Sequence, residues 1–131
     1  MEFRLNPAFE AELKRRVAAG VEAAGKEYVG AVIEEVDSAP RGGTNLNQFG
    51  RPRSAPGEPP ASETGRWRGA LGLNQAAYNV VTVGFDDLEV AEYAAHLERG
   101  TIRMAARPVF EPVLLQQAPY LLRAFAEGFR R

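Results

Sequence analysis

The chain has 131 residues, enough for one hydrophobic core and too few for two ordinary ones. Its hydrophobic and charged fractions, 45% and 25%, are those of a soluble globular domain, and no apolar run reaches the length that crosses a bilayer. A formal net charge of −1 lacks the basic surplus of a dedicated nucleic-acid binder, and without cysteine there is neither a disulfide framework nor a thiolate metal site.

The first dozen residues contain acids and no apolar stretch, so no signal peptide is expected there. Asn6-Pro7 reads as a helix start: asparagine caps free N–H groups, and proline at the first helical position loses no hydrogen bond. From there Phe9, Leu13, Val17, Val21, Ala24, Tyr28 and Val32 recur at three- and four-residue intervals. The stripe predicts one long helix over 1–37, ended by Ser38-Ala39-Pro40. Gly20, Gly25 and Gly30 interrupt it, each costing about 1 kcal/mol relative to alanine. A helix this long needs a partner surface, within the domain or on a neighbouring subunit.

Residues 38–63 hold five prolines and four glycines without periodicity, and read as an extended arm. Residues 64–131 form the predicted body. Two strands are expected at Gly72–Tyr78 and Val80–Phe85, joined at Tyr78-Asn79. A short helix, Val90–Arg99, follows and is closed by Gly100 in the left-handed conformation. After Arg107-Pro108 the chain turns helical again. Phe110, Val113, Leu114, Leu121, Leu122, Phe125 and Phe129 form its apolar face, with a kink or break at Pro119. The sum is one α+β domain, 1–131: a long N-terminal helix, a Pro/Gly-rich arm, a small antiparallel sheet, a short helix and a C-terminal helix.

Charge is unevenly spread. Arg41, Arg51, Arg53, Arg66 and Arg68 dominate residues 40–70, while Asp86, Asp87, Glu89, Glu92 and Glu98 stand without a lysine or arginine over 86–98. By itself this is the pattern of two solvated loops; as a pair the segments also offer contacts between copies.

No catalytic constellation emerges. His96 is the only histidine, which excludes histidine-rich zinc sites, and a structural role suits it best. The acids at 86–92 lack EF-hand spacing and read as a loop plus a first helical turn, where they complement the helix dipole. No serine stands in a nucleophile turn and no phosphate-binding Gly-Lys-Ser/Thr loop is present. Trp67 between Arg66 and Arg68 reads better as a core anchor than as a base-stacking platform. The chain is therefore expected to be no enzyme and to hold no metal or cofactor.

Two stretches do carry a pattern. Ser54–Leu71, SAPGEPPASETGRWRGAL, resembles a strap of the form S-x-PG-x-PP leading into T-G-x-L-R-x-S-I. Ser54, Pro56, Gly57, Pro59, Pro60, Thr64, Gly65 and Arg68 match it, with Trp67 for leucine, Ala70 for serine and Leu71 for isoleucine. Tyr93–Pro112, YAAHLERGTIRMAARPVFEP, is similar to a run Y-A-x-Y-V-E-x-G-T followed by a basic residue, methionine and proline. Tyr93, Ala94, Leu97, Glu98, Gly100, Thr101, Arg103, Met104, Ala106, Pro108, Phe110 and Pro112 carry that likeness, with His96 in an aromatic position. Together they resemble the minor tail-component, or tail-completion, family that long-tailed lambdoid-type phages place at the head–tail junction.

The resemblance implies a structural virion protein of the neck, made in the host cytoplasm and assembled as part of a ring around the DNA conduit. It implies self-association, most simply six-fold, and contact with neighbouring neck, connector or tail-tube proteins. Arg51, Arg53, Arg66 and Arg68 would then supply assembly contacts or non-specific contact with passing DNA. The tail terminator that caps the tail tube is the neighbouring alternative, and a small nucleic-acid-binding module resting on Arg66-Trp67-Arg68 is the alternative of another class. Within the motif, Glu98 in a last helical turn opposes the dipole, so a cation is expected to pair with it, Arg103 or Arg107. The run reads as a structural corner.

Overall fold

The computed structural model describes residues 4, 6–38, 69–100, 106 and 108–131. They fold as an α+β unit of α1 (Pro7–Asp37), β1 (Leu71–Ala77), β2 (Val80–Phe85), α2 (Leu88–Arg99) and α3 (Phe110–Arg130). The arm expected over 38–63 lies outside the described residues except for Ser38, which closes α1 through its N–H and hydroxyl to the Glu34 carbonyl.

α1 begins as its sequence indicates, with the Asn6 side chain accepting from the Ala8 N–H at 2.9 Å and proline in the first turn. Its apolar stripe is divided between two neighbours. Gly20 lies against Phe125 and Gly128, and the Tyr28 hydroxyl meets the Phe110 carbonyl, so α3 runs antiparallel to α1. Gly25 lies against Leu73 and Val81, which places the hairpin on the same helix beside α3. The helix glycines are thus points of close approach: bare backbone at Gly20 and Gly25 admits a ring and two aliphatic side chains. Gly30 meets nothing.

The strands pair antiparallel, Leu71 with Phe85 and Leu73 with Val83, with an irregularity between Gln75 and Ala77. Alternation sends Val81, Val83 and Phe85 inward and leaves Thr82 and Gly84 outside. The first strand is shifted one residue toward the N-terminus from its expected span. Where the strands, α1 and the start of α3 converge, Val32, Val36, Leu71, Val109 and Val113 form the core, with Phe85 and Phe110 edge to face at 6.0 Å.

Two expectations need correction. α2 starts at Leu88 rather than Val90, because the Asp87 carboxylate accepts from the N–H groups of Glu89 and Val90 and so begins the helix earlier. α3 runs from Phe110 to Arg130 with Pro119 inside it, unbroken. Pro119 deprives the Leu115 carbonyl of its helical partner, but Leu115 is 70% exposed, so water can serve that oxygen. Packing of Val113 and Gly128 anchors α3 on either side of Pro119. The apolar face of α3 is also narrower than its sequence suggests, since Leu114 and Leu122 are exposed. No helix among the described residues is long and apolar enough to cross a membrane.

Candidate functional site

Glu98 ties the second motif together, and it does so through backbone. One carboxylate oxygen accepts from the N–H of Val109 at 2.8 Å and of Phe110 at 2.9 Å; the other accepts from Glu111 at 3.3 Å. These are donors at the start of α3 that the helix's own carbonyls cannot serve. Val109, at the cap position, has no side chain able to serve them, and Pro112 has no N–H to serve. The next donor, Val113, already bonds the Val109 carbonyl at 3.0 Å. A carboxylate from the end of α2 thereby caps α3 completely, and its charge complements the positive end of that helix dipole.

Tyr28 completes the arrangement from α1. Its hydroxyl donates to the Phe110 carbonyl at 2.7 Å, in the same peptide whose N–H, that of Glu111, donates to Glu98. Burial, and then the nearby Glu98 charge, pushes the phenol up from its usual 10.0 to about 12. The sign of the pH effect follows. The unfolded chain releases this proton near pH 10 while the folded one retains it, so the contribution is full below pH 10 and lost as pH rises toward 12. In Tyr28→Phe, that part of the alkaline loss of stability between about pH 10 and 12 should be absent. Denaturant melts of both proteins across this range would show it; identical slopes would contradict it.

The remaining motif residues take structural positions. Gly100 donates its N–H to the His96 carbonyl at 2.7 Å and closes α2. Its φ of 77° is positive as expected, but ψ of 172° places it outside the left-handed helical region, in a conformation open essentially to glycine alone. Pro108 is half-buried beside the cap, and Tyr93 is 52% exposed on α2. His96 is exposed.

Arg103 and Arg107, the expected partners of Glu98, lie outside the described residues, as do Thr101 and Met104. So do Pro59, Pro60, Thr64, Gly65, Arg51, Arg53, Arg66 and Arg68. The backbone role of Glu98 was missed by reading its charge alone. A signal existed: a helix starting at Val109-Phe110 without a capping residue needs an acceptor from elsewhere, and Glu98 stands eleven residues before Val109.

Chemically the arrangement is a clamp. Both carboxylate oxygens and the phenol are engaged with backbone. Among the described residues no group of three or more His, Asp or Glu side chains is placed to hold a metal ion. Comparison with protein-family models, with curated proteins and with solved structures finds no match to this chain.

Proposed function

We propose that the chain is a structural component of a phage head–tail junction, a tail-completion or neck protein that forms part of a ring around the DNA conduit. The observation that carries this reading is the second motif run. Its Glu98, together with Tyr28 of α1, joins three helices at one corner, which suits a particle-building protein. The strap motif that precedes it by about 20 residues, with the order and spacing of the two, supports the same family. Partners on this reading are further copies of the chain and the adjoining connector or tail-tube proteins, with assembly in the host cytoplasm and residence in the virion. Contact with DNA would be sequence-independent and steeply salt-dependent, through the arginines of the 51–68 segment.

Deletion of the gene tests the reading directly. DNA-filled heads and separate, complete tails that fail to join are the expected outcome. Blocked capsid assembly or blocked DNA replication would remove it, and tails of uncontrolled length would favour the terminator role instead.

A further inference from the structure

We draw no further inference here: the strongest candidate, the exposed apolar face of α3 around Leu115 and Leu122, carries nothing because no feature of the structure shows what covers it.

Discussion

Alanine at position 128 is expected to lower stability by about 2–3 kcal/mol, although alanine favours a helix over glycine by about 1 kcal/mol. A Cβ on Gly128 would stand 2.6 Å from the Ala19 carbonyl oxygen and 2.9 Å from the Gly20 Cα. Both are backbone atoms of α1 and cannot rotate aside. The helices must separate, and Phe125, seated over Gly20, loses contact with them. Two companion substitutions calibrate the effect. Gly30 has nothing within 4 Å, so Gly30→Ala should raise stability by about 1 kcal/mol through helix propensity alone. Gly25→Ala falls between, because it meets the side-chain ends of Leu73 and Val81, which can turn. Urea unfolding followed by far-ultraviolet circular dichroism ranks the three. Gly128→Ala at or above the parent midpoint would refute the close crossing.

The same glycines show where a sequence is legible and where it is not. α1 could be read almost to the residue, because Asn6-Pro7 and the apolar stripe are local signals that the first hydrogen bonds satisfy locally. The hairpin followed from the β-branched content of its second strand, and the α+β class from the order of elements. Gly20, Gly25 and Gly30, however, look alike in sequence and carry the same propensity cost. Only the tertiary partners separate them: backbone and ring at Gly20, aliphatic tips at Gly25, open space at Gly30. Pro119 does not break α3 for a related reason. Its penalty is local, while the buried residues that anchor α3 on either side of it are Val113 and Gly128, six and nine residues away. Of the corner, Gly100 was legible as a helix stop, and Glu98 as an acid needing a partner. The identity of that partner was not, because the donors are backbone groups of another helix, Val109 to Glu111, which no side-chain pattern marks.

Removal of the Glu98 carboxylate is the second large effect. Glu98→Ala should cost about 3 kcal/mol: charge-assisted hydrogen bonds are lost, and three N–H groups are left to find another acceptor. Val109 is 2% exposed, so its N–H cannot easily turn to water. Glu98→Gln retains one carbonyl oxygen, and Oε1 of the parent serves two of the three donors. It should therefore cost less, about 1–2 kcal/mol, through loss of charge at the helix start. The order of unfolding midpoints, parent above Gln above Ala, separates this cap from a surface ion pair, which would cost under about 1 kcal/mol in either variant. Parent-like stability of Glu98→Ala would show that the cap is not needed. The functional consequence follows from what the carboxylate joins. With it gone, α2 keeps its buried Val90, Ala94 and Leu97, but loses its bond to the start of α3. If the chain is the neck protein proposed above, Glu98→Ala should lose activity in a complementation assay of phage assembly in parallel with stability, and regain it at lower temperature. Inactivity at full stability would instead mark Glu98 as a group that acts on something outside the chain, and the reading of this corner as a clamp would fall.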